Sequence, residues 1–290
     1  MIKDFEYFAP QKLDKALALL DKYEDSKIIG GGQSLLIIMK QGLVAPEYMI
    51  DIKGLSELDY IKADKTGTVR IGALTTHRSI EYSKVFKGAL KVLPEMEKRL
   101  ASPQTRNWGT LGGNIAHGDP AGDPAPVLIA LDAIVKLASV NGERSVPMVE
   151  FYRDYFDTVM EHNEMITEIE IPAPPAKTGA AYSKFNIIDS DMATVSAAVS
   201  VTLAADGTCK DLRIVLGAAA PTPIRATKAE DSIRGKKPTE ALFTEAGEIA
   251  AGESSPVTDI NASSDYRREL VKAMVKKVGL EAYNRAKEAK

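Results

Sequence analysis

Leu13, Ala16, Leu17 and Leu20 recur at i, i+3, i+4 and i+7, which places one apolar stripe on a short helix beginning after Pro10. Residues 27–29 then read as a short strand, as do 48–52, 60–63 and 69–72, and helical spacing returns near 76–82 and 89–100. Residues 133–140 and 165–171 are further strands. The first runs into an Asn141-Gly142 hairpin turn and the second ends at Pro172. Three prolines between Ile171 and Lys177 can continue neither a central strand nor a helix, so a domain boundary is expected there. Beyond it, Val195, Ala197, Val199, Val201 and Leu203 alternate with Ser196, Ala198, Ser200, Thr202 and Ala204, the period of a strand with one buried face. Asp206-Gly207 turns the chain back, Leu212, Ile214 and Leu216 continue the alternation, and helical stretches follow near 238–251 and 264–287. The pattern predicts an α+β chain. Its first unit covers 1–175, with mixed α/β subdomains of about 1–55 and 56–175, and a smaller α+β unit covers 178–290.

Between the two best-defined stretches of the first unit lies SPQTRNWGTLGGNIAHGDPAGDPAP, at 102–126. It is rich in Gly, Pro and small polar residues, so it is expected to be irregular, and a long irregular segment inside a compact unit is usually functional. Composition narrows the function. The 290 residues carry 37 Lys and Arg against 40 Asp and Glu, a net charge of −3, which is not the balance of a nucleic-acid-binding protein. The single cysteine, Cys209, excludes an internal disulfide, a four-cysteine zinc site and an iron-sulfur cluster held by this chain alone, and suits a reducing, cytoplasmic setting. The opening residues carry acidic groups and no run long enough for a signal peptide. No later stretch approaches the roughly 20 apolar residues of a membrane span.

Two glycine turns are the candidates for chemistry. Ile29, Gly30, Gly31, Gly32, Gln33, Ser34 and Leu35 form a strand end leading into a turn whose successive backbone N–H groups can surround a phosphate or pyrophosphate without lysine or arginine. The pattern is neither a dinucleotide-binding G-x-G-x-x-G nor a P-loop, and a plain strand-to-helix turn is the alternative. Thr110-Leu111-Gly112-Gly113-Asn114, with Ala101 upstream and Asp123 downstream, offers a second set of close-approach donors; a coiled surface loop is its alternative. Together they suit a ligand with two phosphates in its middle and a polar group at each end. Trp108 reads as packing beside a glycine loop, Cys209 as a structural thiol, and 264–287 as a helix docked by Leu270, Met274 and Val278. His77, His117 and His162 lie far apart, without the helical spacing of a metal hydrolase.

IGGGQSLL and TLGGN, followed by NIAHGDPAGDPAPVLIALDA, resemble the two flavin-binding motifs of the FAD-carrying medium subunit of the molybdenum hydroxylases, the family of xanthine dehydrogenase and carbon monoxide dehydrogenase. FEYFAP, RIGALTT, SPQTRN, MITEIEIP, YSKF and LGAAAPTPIRA extend the likeness over nearly the whole chain. The resemblance implies a two-part FAD-binding domain followed by a small C-terminal α+β domain. It implies FAD contacts at Ile29, Gly30, Gly31, Gly32, Gln33, Ser34 and Leu35, and at Ala101, Thr110, Gly113, Asn114, Ala116 and Asp123, with Asp123 expected to bond a sugar hydroxyl. Ile166 and Lys184 match positions near the adenine and the flavin ring in relatives. The resemblance further implies a large partner holding the molybdenum cofactor, a small partner with two [2Fe-2S] clusters, and NAD or another acceptor. A flavin performs the redox chemistry itself, so no nucleophile or acid-base dyad is required of this chain.

The sequence departs from the family after Lys184. FNIIDSDMA places Ile187, Ile188 and Asp189 where many relatives have one or two arginines, which puts the usual flavin potential and acceptor in doubt. Relatives that reduce aromatic thioesters carry an extra iron-sulfur cluster on this subunit, which one cysteine cannot supply. Two other functions are compatible with the residues: a self-sufficient FAD oxidase, and a non-enzymatic nucleotide-binding scaffold.

Overall fold

The computed structural model describes residues 2–188 and 190–289. The chain opens with β1 (Glu6–Phe8), α1 (Leu13–Lys22), β2 (Ser26–Ile29), α2 (Leu35–Lys40) and β3 (Tyr48–Asp51), and its three strands pair in parallel in the order β1-β3-β2. The stripe Ala16, Leu17 and Leu20 is buried against Ile50, Ile52 and Leu55, so α1 forms where its periodicity places it. β2 ends where the glycines begin. Gly32 takes φ +70°, and its carbonyl accepts from Leu36 N to start α2.

The middle of the chain builds β4 (Ile61–Ala63), β5 (Val69–Gly72), α3 (His77–Tyr82), α4 (Val92–Glu97), α5 (Pro103–Trp108), α6 (Leu111–His117), α7 (Pro124–Ala130), β6 (Ile134–Ser139), β7 (Gly142–Pro147), β8 (Tyr152–Asp154), β9 (Asp157–Thr158) and β10 (Met165–Ile171). Five strands form an antiparallel sheet in the order β4-β5-β10-β6-β7, and β8 and β9 make a separate hairpin. The expectation that 102–126 is irregular is corrected. Three short helices occupy it because cap chemistry outweighs low helix propensity. Ser102 and Thr110 accept from the N–H groups of Thr105 and Gly113, proline opens α5 and α7, and Gly118 closes α6 in the left-handed region. All of α7 is buried.

The last part contributes β11 (Thr178–Phe185), β12 (Val195–Leu203), β13 (Cys209–Gly217), β14 (Ile224–Arg225), α8 (Thr227–Ile233), α9 (Glu240–Glu253) and α10 (Ser264–Glu288). Its four strands pair antiparallel in sequence order. The expected single buried face of β12 is also corrected: every residue of the strand is buried. Val195, Ala197, Val199 and Val201 face a core shared with α8, α9 and α10, while Ala180, Tyr182, Ala198 and Val215 join the core of the preceding part. Small residues on that second face admit α7 and α4, which is why they read as a solvent face. Leu270, Met274 and Val278 bury α10 along its stripe, as expected. Ala218 N donates to Pro120 O at 2.8 Å and Arg99 reaches Ser183 Oγ at 3.3 Å, so polar bonds as well as packing join the two parts. Among the described residues no helix is long and apolar enough to cross a membrane.

Candidate cofactor site

Six consecutive backbone N–H groups, from Gly30 to Leu35, have no acceptor among the described residues. The next donors, Leu36 N and Ile37 N, are taken by Gly32 O and Ser34 O. A helix start leaves its first donors open in any protein; here the open run extends back through the glycine turn, concentrating partial positive charge where no cationic side chain is needed. Gln33 Nε2 donates to Gly31 O at 3.1 Å, which fixes the turn from within, and Ser34 at the N-cap makes no side-chain cap bond.

The two glycine turns meet. A Cβ on Gly30 would stand 3.2 Å from Thr110 Oγ1, and one on Gly31 would overlap the Trp108 carbonyl and lie 2.8 Å from Gly109 Cα. Gly31 therefore lacks a side chain so that the turns can touch, rather than to leave room for a phosphate. The second turn differs from expectation in another way. Its amides are not open: Leu111 N donates to Thr75 O, Gly112 N to Ala73 O, Asn114 N to Thr110 O, and Gly113 N to Thr110 Oγ1. What it presents is side chain and bare surface. Gly113 and Ala116 are exposed, and the side-chain amide of half-buried Asn114 has no partner among the described residues. Only Thr110 Oγ1 stands near a Cβ placed on Gly113, so this glycine does keep its outer face clear.

Asp123 is engaged internally. Its carboxylate accepts from Tyr182 Oη at 2.6 Å and Lys184 Nζ at 2.7 Å, and Lys184 also donates to Asp191 O at 2.8 Å. Burial pushes the Asp123 carboxyl above its ordinary value, with Lys184 and Tyr182 opposing, and the same burial raises the Tyr182 phenol. Asp123 precedes α7 without capping it by its side chain, so it serves as a bolt between α7 and β11. Ile166 is buried in the core beside Leu137 and Ile169. Ala101 has φ +43°, and its carbonyl accepts from Arg106 at 2.8 Å. Asp189 lies outside the described residues; Ile187 and Ile188 are exposed.

Other residues of the site carry little sequence signal. His77 N donates to Gly109 O at 3.0 Å, and His77 Nδ1 lies 2.9 Å from Glu97, both side chains being buried. Burial raises the Glu97 carboxyl while His77 opposes the shift. This pair underlies the seam between the turns, where the sequence offered only helical spacing near 76–82; Thr76 caps α3 there. Trp108, expected to pack, is 62% exposed. Among the described residues no group of three or more His, Cys, Asp or Glu is placed to hold a metal ion. Open amides on one turn, a hydroxyl and a free amide on the other, and a clear glycine face between them fit the diphosphate of a dinucleotide.

A sequence model described as the FAD binding domain in molybdopterin dehydrogenase matches residues 3–174, and one described as the CO dehydrogenase flavoprotein C-terminal domain matches 180–282. The carbon monoxide dehydrogenase medium chain of Hydrogenophaga pseudoflava is 37% identical over 94% of this chain and 95% of that relative. The glyceraldehyde dehydrogenase medium chain of Sulfolobus acidocaldarius is 33% identical over 94% and 96%. Among solved structures, carbon monoxide dehydrogenase from Hydrogenophaga pseudoflava, in a form lacking the Mo-pyranopterin moiety, superposes with a TM-score of 0.95 at 38% identity, covering 98% of this chain and 99% of that one. Quinoline 2-oxidoreductase from Pseudomonas putida 86 gives 0.93 at 32% identity, covering 99% of each.

Proposed function

Because the chain belongs to the FAD-binding medium subunits of the molybdenum hydroxylase family, we propose that it is the electron-transfer subunit of a complex whose other chains carry the molybdenum cofactor and two [2Fe-2S] clusters. The observation that supports this reading best is the run of six open amides from Gly30 to Leu35 set against Thr110 and Asn114. When bound, FAD supplies the exchange between one-electron and two-electron transfer, with NAD or another small acceptor taking the pair. The chain's own part is binding and orientation. Amides of the first turn would neutralise the diphosphate, and Asn114 would offer its amide alongside Gly113 and Ala116. Ala101, Ile166 and the Asp123–Lys184 bolt would border the rest of the cofactor. Native mass spectrometry of the complex, with flavin and metal analysis, tests the reading. It expects one FAD on this chain, with iron and molybdenum confined to the partners. A complex devoid of flavin, or turnover of an organic donor by the isolated chain, overturns it.

A further inference from the structure

Ala101 holds φ +43°, a left-handed conformation that is unfavourable for any residue with a Cβ and free to glycine. Alanine stands here all the same, its methyl packed against the main core of the first part, so something else must hold the backbone. Arg106 does so. Its guanidinium is buried, and Nη1 donates to Leu100 O at 2.7 Å and to Ala101 O at 2.8 Å, the two carbonyls on either side of the Ala101 Cα. Nε donates to the Glu81 carboxylate at 2.9 Å, which aims the fork. A lysine ammonium on its flexible stem cannot reproduce that planar grip.

The grip bears on the glycine seam through a helix. α5 is capped by Ser102, directly after Ala101, and its far end delivers the Trp108 carbonyl and the Gly109 Cα that meet Gly31. α3 packs beside α5. Glu81 in the last turn of α3 takes Arg106, and His77 at its start donates its N–H to Gly109 O at 3.0 Å, so the helix pair is pinned at both ends. Six residues of helix reach about 9 Å, and a small swing at Ala101 is therefore carried to the contact with Gly31. We propose that Arg106 is a positioning residue for the cofactor: by holding Ala101 left-handed it sets α5, and with it the spacing of the two glycine turns. It acts through α5 rather than by touching the ligand. The assignment rests on the proposed FAD-binding function.

The test uses the freedom of glycine at φ +43°. In the full-length chain freed of flavin and titrated with FAD, Arg106→Lys is expected to weaken binding about tenfold, the equivalent of one charge-assisted hydrogen bond, and to shift the bound-flavin absorption bands. Adding Ala101→Gly should restore affinity and bands toward those of Ala101→Gly alone, because a glycine keeps the left-handed turn without being held. A role for Arg106 in general packing predicts the reverse, with the second substitution adding to the damage of the first. Should Arg106→Lys alone fail to fold, the double variant decides, and its folding and binding FAD like Ala101→Gly supports the assignment. Unchanged FAD affinity and spectrum in Arg106→Lys overturn the proposal, as does a double variant that binds no better than the single one or does not fold. A wild-type chain that binds no FAD overturns the underlying FAD reading itself.

Discussion

Replacing Gly31 with alanine tests the seam between the two glycine turns. The new Cβ would lie 2.8 Å from Gly109 Cα and from the Trp108 carbonyl carbon, whereas ordinary contact begins at 3.4 Å, so the turns must part by at least 0.6 Å there. Neither obstacle is a side chain that can swing away. Gly109 is tied by its N–H to Thr105 O at 2.7 Å and by its carbonyl to His77 N at 3.0 Å. Overpacking of this kind costs about 1–3 kcal/mol, and rigid backbone on both sides places Gly31→Ala near the top of that range. Gly113→Ala is the control. Its Cβ meets only Thr110 Oγ1, at 2.8 Å, and rotation of that hydroxyl sacrifices a cap of about 1 kcal/mol, offset by about 1 kcal/mol of helix propensity. Thermal unfolding of the flavin-free chain should therefore show a drop of several degrees for Gly31→Ala and almost none for Gly113→Ala. FAD titration should show weakened binding in both, through separated turns in the first and added bulk on the cofactor face in the second. Wild-type melting and affinity in Gly31→Ala would refute the seam as described.

Lys184→Met leaves the Asp123 carboxylate buried without its cation, and a loss of about 3–5 kcal/mol is expected from urea unfolding; a loss under about 1 kcal/mol contradicts the bolt. Bidentate hydrogen bonding by Arg144 holds the Glu164 carboxyl below its ordinary 4.5. That contribution is present above pH 4.5 and disappears as pH falls through the lowered folded value, so Glu164→Gln should flatten the acid side of the stability curve, and an unaltered acid limb argues against it. Burial raises the Cys209 thiol to about 11. As the sole cysteine it should resist a thiol reagent at pH 8 until the chain unfolds, and rapid labelling of the folded protein would count against its enclosure.

Elements with clean periodicity were legible in the sequence. α1, the strand pair β12 and β13, and the docked stripe of α10 stand where their apolar spacing puts them. What escaped was decided by neighbours distant in the chain. Helices α5 and α6 depend on individual caps, and α7 on an opening proline, inside a composition that averages to loop, and β12 looks half-solvated because Ser196, Ala198 and Ser200 are small for the sake of packing. The glycine motifs were found, but their division of labour was not. The sequence cannot show that the amides of Gly112 and Gly113 are already bonded while those of Gly30 to Leu35 are open. Nor does it show the burial of Glu97 beneath His77, since neither residue belongs to a recognisable pattern.

The sheet of β11 to β13 has no face of its own to spare. One side closes over the last three helices and the other over α4 and α7, with Asp123 and Lys184 pinned across the join. A chain severed in the proline-rich connection would expose an apolar wall on each fragment and strand a charge on each side of the break. Whatever its modular appearance, the polypeptide should therefore melt as one cooperative body, and loosening the C-terminal helices should be felt at the two glycine turns.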